Sequence, residues 1–188
     1  MVDHIPSEVV QKMDIEDIND QATEYFISDD QINKIRDACG LYDNRVFQQA
    51  VNSVIIGAYD LAIVGLIAVL DRELSQYSGQ IKNVHFNPRI QTIWKKLEEK
   101  GELAINEMED SDFFLFVAYQ KAMDSFVENS DFLAPEPDYL NRHWIMHGRT
   151  NRVYTKLECV KILNMIYGTI RLGELGKQKE ESVNVIAN

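Results

Sequence analysis

The chain is poor in the residues that characterise disulfide-rich, disordered and fibrous proteins. Its 188 residues include two cysteines, four prolines and nine glycines, and 45% of the residues are hydrophobic. Cys39 and Cys159 are too few for a disulfide framework, and neither lies near a second thiol in the sequence. We expect both thiols to be reduced and buried. The composition is that of an ordinary globular protein, and the scarcity of glycine and proline favours helices.

The chain also lacks an apolar run long enough to span a bilayer. The longest run, LAIVGLIAVL, covers residues 61–70, whereas a transmembrane helix needs about 20 residues. The opening MVDHIPSEVV contains Asp3 and Glu8 and has no apolar core, so it does not resemble a signal peptide. We therefore predict a cytoplasmic protein with no membrane contact, in which residues 61–70 form a buried core helix.

Basic residues are scarce and are concentrated in one segment. Residues 1–140 carry a net charge of −15, residues 141–171 carry +5 and residues 172–188 carry −1, which sum to the −11 of the whole chain. An acidic surface repels nucleic acid, but a local basic patch can still bind a phosphate chain. The segment 141–171 is therefore the part of the chain suited to an anionic partner.

Apolar residues recur at helical spacing through most of the chain, and no segment alternates for long enough to predict a strand. We predict helices at 28–40, 43–77, 88–102, 111–130 and about 138–147, and a long last helix that opens at Thr155. Ser28 is the predicted cap of the first helix, Gly79 and Gly148 are predicted stops, and Thr155 with Glu158 is a predicted capping box. The glycine in GAYD, residues 57–60, favours a helical hairpin over one bent helix at 43–77. The predicted fold is one all-α, up-and-down helical bundle.

We divide the chain into three predicted parts. Residues 1–40 form an N-terminal helical extension, residues 41–175 form the bundle, and residues 176–188 form a flexible tail. The tail is predicted because the last residues of a domain are often poorly ordered.

The basic segment opens with NRHWIMHGR, residues 141–149, and three interpretations of this stretch compete. The first is metal binding by His143 and His147, which are four residues apart and share a helix face. The metalloprotease version of such a pair places a glutamate directly after the first histidine. Here Trp144 occupies that position, and no third ligand is evident.

The second interpretation is phosphodiester cleavage without a metal. The 2′-hydroxyl of RNA can attack the neighbouring phosphate if a group accepts its proton and a cation holds the developing charge. Histidine transfers protons near neutral pH, and the planar fork of arginine binds phosphate oxygens. His147 and Arg142 fit these roles, with Asn141 orienting the scissile group and Arg149 and Arg152 binding flanking phosphates.

The third interpretation is structural. His147 would stabilise the last turn of a helix beside Gly148, where a cation is favoured by the helix dipole. Arg142 would pair with an acidic group at the surface. An arginine and a histidine at this spacing occur by chance in many proteins.

Two features resemble the HEPN superfamily. Arg142-His143-x-x-x-His147, followed by Gly148, resembles the family signature, in which an arginine and a polar residue precede a histidine. The segment 50–75 is similar to the opening helical hairpin of HEPN domains, with matches at Gly57, Tyr59, Ala62 and Asp71. The resemblance covers about residues 43–175.

The resemblance implies an all-α homodimer whose motifs face each other and whose composite cleft cuts RNA without a metal or cofactor. His147 would be the acid/base, Arg142 would hold the phosphate, and Asn141 and His143 would be auxiliary polar groups. Such proteins commonly act in bacteria as toxins or antiviral factors, which implies an antitoxin or regulatory protein as a further partner. The alternative is a catalytically inactive HEPN-like module that binds a partner protein or a nucleotide.

Overall fold

The computed structural model of the chain is all-α, as predicted. It describes residue 24 and residues 27–39, 44–79, 86–98 and 110–186. These ranges contain seven helices and no strand. The helices are α1 (Asp29–Ala38), α2 (Arg45–Ile55), α3 (Tyr59–Ser78), α4 (Phe86–Glu98), α5 (Asp110–Val127), α6 (Arg142–Met146) and α7 (Lys156–Ile186).

Helices α3 and α7 form the centre of the packed arrangement. They pack against each other, and α4 contacts both of them. Helix α2 packs on α3, whereas α1 and α5 pack on α7. The fully buried core side chains of the central pair include Ile63, Leu66, Leu70, Ile162, Leu163 and Ile166. The run predicted as a buried core helix, 61–70, therefore lies in the middle of the fold.

Helices α2 and α3 form the tight hairpin that the glycine favoured. Gly57 has a φ of +78°, a backbone conformation that glycine adopts without steric cost. Helices α2 and α3 also pack closely at Gly65, where an added Cβ would lie 2.9 Å from the Cβ of Ala50. The two helices can approach because neither contact residue is larger than alanine.

Several predicted helix ends are confirmed. Ser28 caps α1, since its hydroxyl oxygen accepts a hydrogen bond from the Gln31 N–H at 3.3 Å. Gly79, with a φ of +73°, follows the last residue of α3. At the start of α7 the Thr155 N–H donates to the Glu158 carboxylate at 3.0 Å, which is one half of the predicted capping box.

Other boundaries differ from the prediction: α4 begins at Phe86 and α5 ends at Val127, and the larger differences are at α6 and α7. The short helix α6 begins at Arg142, whereas the prediction placed its start at about residue 138. Residues 138–141 are not helical, and Asn141 caps the helix. Helix α7 continues to Ile186, through most of the segment predicted as a tail. Residues 1–23 of the predicted extension lie outside the described part of the chain. Among the residues that the structure describes, no helix is both long and apolar enough to cross a membrane.

Candidate functional site

The stretch 141–149 lies on α6, a five-residue helix that packs against α3 and α5. Trp144 and Ile145 are buried and anchor it, and the ring of Phe132 meets Trp144 edge to face at 5.3 Å. Gly148, with a φ of +63°, lets the chain turn away after the helix. The anchored face leaves Arg142, His143 and His147 partly or fully exposed.

Asn141 holds the start of α6 against the end of α5. Its side-chain oxygen accepts hydrogen bonds from the His143 N–H at 2.9 Å, the Trp144 N–H at 3.4 Å and the Ser130 hydroxyl at 3.0 Å. Its amide nitrogen donates to the Glu128 carbonyl at 2.9 Å. The residue is only 4% exposed. Asn141 thus has the contacts of a capping residue, whereas the sequence hypothesis expected a group that orients substrate.

Asn141→Ala is expected to lower the free energy of unfolding by about 2 kcal/mol. The substitution removes the cap of α6 and leaves the Glu128 carbonyl without its donor. Chemical denaturation measures the change. Asn141→Ser is the matched control: it keeps a neutral capping oxygen for the N–H groups of α6 and loses the donor to Glu128, so it should lose less stability than alanine. An alanine variant as stable as the wild type would contradict the capping role.

The two histidines of the motif form a stacked pair. Their ring centroids are 6.3 Å apart and their planes differ by 13°. The edge of the His147 ring also meets Phe132, with centroids 5.4 Å apart. His147 is exposed, whereas His143 is half-buried. Burial lowers the pKa of His143, and the neighbouring charges of Arg142 and His147 lower it further, so the neutral imidazole is favoured at this position.

Arg142 extends toward α3 and α4. Its guanidinium carbon lies 4.0 Å from the centroid of the Phe86 ring, in cation–π geometry. Burial lowers the pKa of Arg142, the charge of Asp71 opposes that shift, and the charge of Arg89 adds to it. Its Nε is buried and has no hydrogen-bond partner among the described residues. The group is a poorly solvated cation, which an anion would stabilise.

The two flanking arginines lie in different surroundings. The Arg149 guanidinium stacks over Phe132 at 4.5 Å, on the aromatic ring that also contacts His147. Arg152 instead pairs with the Glu158 carboxylate at 3.5 Å and donates to the Pro137 carbonyl at 3.5 Å. The structure therefore brings His147 and Arg149 to the Phe132 ring, with His143 stacked on His147, and directs Arg152 toward α7.

A groove of about 660 Å³ lies between α5, the loop at 138–140 and α7. Leu140 and Met165 contribute to its apolar wall, and Arg152, Lys161 and Asn164 contribute polar groups. This volume is in the range of small-molecule sites. The charge of Arg152 thus belongs to the groove as well as to the basic segment.

The donor geometry does not favour the metal interpretation. In the described ranges, no three His, Cys, Asp or Glu side chains are grouped so that they could hold an ion. The planes of His143 and His147 differ by 13°, so their in-plane lone pairs lie in two nearly parallel planes and do not converge on one point between the rings. Both rings would have to turn before they could share a zinc ion, which takes at least three protein ligands.

The sequence did not predict the aromatic rings that contact Arg142 and Arg149, nor the ion pair between Arg89 and Asp71. Phe86 and Phe132 belong to no motif and are distant in sequence from the residues they support. In the sequence, Asp71 belongs only to the hairpin resemblance, and Arg89 belongs to no motif. Asp71 accepts a hydrogen bond from Arg89 at 2.6 Å. No local pattern signals such contacts.

Comparison of the chain with protein-family models, curated protein sequences and solved structures finds no match in any of the three. No family assignment follows, and the all-α class rests on the helices themselves. The HEPN resemblance therefore enters only as a hypothesis about function.

Proposed function

We propose that the chain is a metal-independent endoribonuclease of HEPN type that acts as a homodimer in a bacterial toxin or antiviral setting. One observation carries the proposal: an exposed histidine, His147, directly follows the five-residue helix that Arg142 begins, and the Nε of Arg142 is buried with no hydrogen-bond partner among the described residues. A proton-transfer group and a cation are two of the three parts that metal-free phosphodiester cleavage needs, and the third is a proton donor for the leaving oxygen.

In the proposed reaction the RNA 2′-hydroxyl attacks the adjacent phosphorus, and the bond to the 5′-oxygen breaks. His147 accepts the proton of the 2′-hydroxyl. The guanidinium of Arg142 binds the phosphate oxygens on which negative charge develops. A second protonated histidine, supplied by the facing motif of the other subunit, donates a proton to the leaving oxygen. The products are a 2′,3′-cyclic phosphate and a free 5′-hydroxyl.

The neighbouring residues support this assignment in different ways. His143 stacks on His147 and restricts its orientation. Asn141 positions the helix through its cap and is, in this account, a positioning residue. Arg149 lies beside the same ring as His147 and is suited to a flanking phosphate. Arg152, already paired with Glu158, is the weaker candidate for phosphate contact.

The test is incubation of the purified protein with a mixed RNA pool in EDTA, beside Arg142→Ala. We expect the wild type to cleave RNA and the variant to be about a hundredfold slower or more, as when one group that stabilises charge in the transition state is lost. Arg36→Ala, at an exposed arginine on α1, is the matched control and should cleave normally. Intact RNA with a folded wild type, or equal cleavage by Arg142→Ala, would refute the proposal.

The groove between α5 and α7 favours a second candidate, the non-catalytic module that binds a nucleotide or a partner. Lys161 and Asn164 bring an ammonium and an amide to a largely apolar wall. Thermal-shift measurements with mononucleotides test it. If the module binds a nucleotide, mononucleotides should raise the melting temperature of the wild type and of Lys121→Gln, which lies outside the groove. They should not raise that of Lys161→Gln. If no mononucleotide raises the melting temperature of the wild type, the nucleotide-binding form of this candidate is refuted.

A further inference from the structure

The ion pair between Arg89 and Asp71 lies one helical turn along α4 from Phe86, whose ring contacts the Arg142 guanidinium. The Arg89 guanidinium donates through one nitrogen to the Asp71 carboxylate at 2.6 Å and to the Asp71 backbone carbonyl at 3.4 Å. The Arg89 side chain is 6% exposed and that of Asp71 is 44% exposed. Arg89 is therefore a buried cation whose charge is balanced by a half-exposed carboxylate.

Helix α4 supplies both supports of this region. Phe86 and Arg89 are three residues apart and so lie on one helix face. The centroid of the Phe86 ring lies 4.0 Å from the guanidinium carbon of Arg142, whereas Arg89 forms an ion pair with Asp71 on α3. The Arg142 guanidinium and the Arg89–Asp71 pair are thus held by the same face of α4, one helical turn apart.

The two arginines do not share Asp71 equally. The carboxylate hydrogen-bonds to Arg89, and its charge acts on Arg142 only through space. No described side chain accepts a hydrogen bond from the Arg142 Nε. Two cations beside one carboxylate leave an excess positive charge, and that excess resides on the cation without a bonded partner.

We propose that Arg89 is a positioning residue that keeps Arg142 available for the phosphate by holding Asp71 away from it. The inference rests on the proposed phosphate-binding role of Arg142. Without the positive charge of Arg89, the Asp71 carboxylate is free to pair with Arg142, whose Nε has no bonded partner among the described residues. An Arg142–Asp71 pair would compete directly with the phosphate, because a guanidinium binds either group with the same fork.

The experiment measures binding apart from cleavage. The probe is a short fluorescein-labelled 2′-O-methyl RNA, which lacks the attacking hydroxyl, and binding to the full chain is followed by fluorescence anisotropy. We expect Arg89→Met to bind it about tenfold more weakly than the wild type, the scale of one charge-assisted hydrogen bond. Adding Asp71→Asn to Arg89→Met should restore binding to within about twofold.

The control variant is Arg36→Met, which breaks the exposed Arg36–Asp37 pair on α1 and should leave binding unchanged. If Arg89→Met binds normally while Arg142→Ala does not, the inference fails and the proposed function stands. If Arg142→Ala also binds and cleaves normally, both fail. A double variant as weak as Arg89→Met overturns the inference, because Arg89 then acts without Asp71.

Two further variants cover the case in which Arg89→Met does not fold. Arg89→Gln still donates to Asp71 but does not neutralise it, so the same weakening is expected. Asp71→Asn alone leaves Arg89 and Arg142 with no carboxylate to share and should bind the probe at least as tightly as the wild type. Weaker binding by Asp71→Asn would overturn the inference, since Asp71 would then assist Arg142 directly.

Discussion

His147→Ala is expected to slow RNA cleavage by about a hundredfold to ten-thousandfold, the range that one general acid or base contributes. The ring is exposed, and its described contacts are those with Phe132 and His143. The capping hydrogen bond at His147 uses its backbone N–H, which donates to the His143 carbonyl at 3.0 Å. Alanine keeps that bond, so the thermal stability should change little.

The measurement compares initial cleavage rates on a defined RNA with the melting temperature of each variant. Met146→Ala is the matched control, because Met146 is an adjacent exposed residue of α6 with no proton to transfer. It should retain the wild-type rate. A His147→Ala protein that melts early would instead indicate a structural role, and a folded variant with the wild-type rate would remove His147 from the mechanism.

Gly173→Ala is expected to destabilise the protein by about 2 kcal/mol. An added Cβ at Gly173 would lie 2.0 Å from a ring carbon of Tyr77, and Tyr77 is only 7% exposed. Here the central helices α3 and α7 meet, so neither the ring nor the backbone can move freely. In an exposed helix the same change would stabilise by about 1 kcal/mol, so the sign of the effect reports the contact.

Urea denaturation gives the free energy of unfolding of Gly173→Ala, of Tyr77→Leu and of the double variant. The double variant should be more stable than the sum of the two single changes predicts, because the smaller side chain makes room for the new methyl group. Strict additivity, or a Gly173→Ala protein more stable than the wild type, would show that α3 and α7 do not pack closely at this point.

Most of the fold could be predicted because its signals are local. Helical spacing of apolar residues located the long helices, and Ser28, Gly57, Gly79 and Gly148 marked helix ends or turns where the structure has them. Local signals failed at the start of α6. Residues 138–141 resemble a helix start in sequence, but the helix begins where the Asn141 side chain can accept hydrogen bonds from His143 and Trp144.

The candidate site could be predicted only in part. The pattern indicated that Arg142, His143 and His147 belong together, and the stacked histidines are near each other in the structure. Whether Arg142 is free or paired depends on Asp71 and Arg89, whose charges act on it from α3 and α4. The burial of Asn141 and the pairing of Arg152 with Glu158 depend equally on contacts between elements, which spacing along the chain does not encode. The catalytic roles themselves stay a prediction.

The most direct test of the account is cleavage of an end-labelled RNA oligonucleotide in EDTA, beside the same sequence with every 2′-hydroxyl methylated. The account predicts that the wild-type chain cuts the unmodified RNA alone, that each new 3′ end carries a 2′,3′-cyclic phosphate, and that His147→Ala cuts the same RNA at least about a hundredfold more slowly. Cleavage of the methylated strand, or 3′-hydroxyl ends on the products, would contradict a reaction begun by the 2′-hydroxyl and activated by His147.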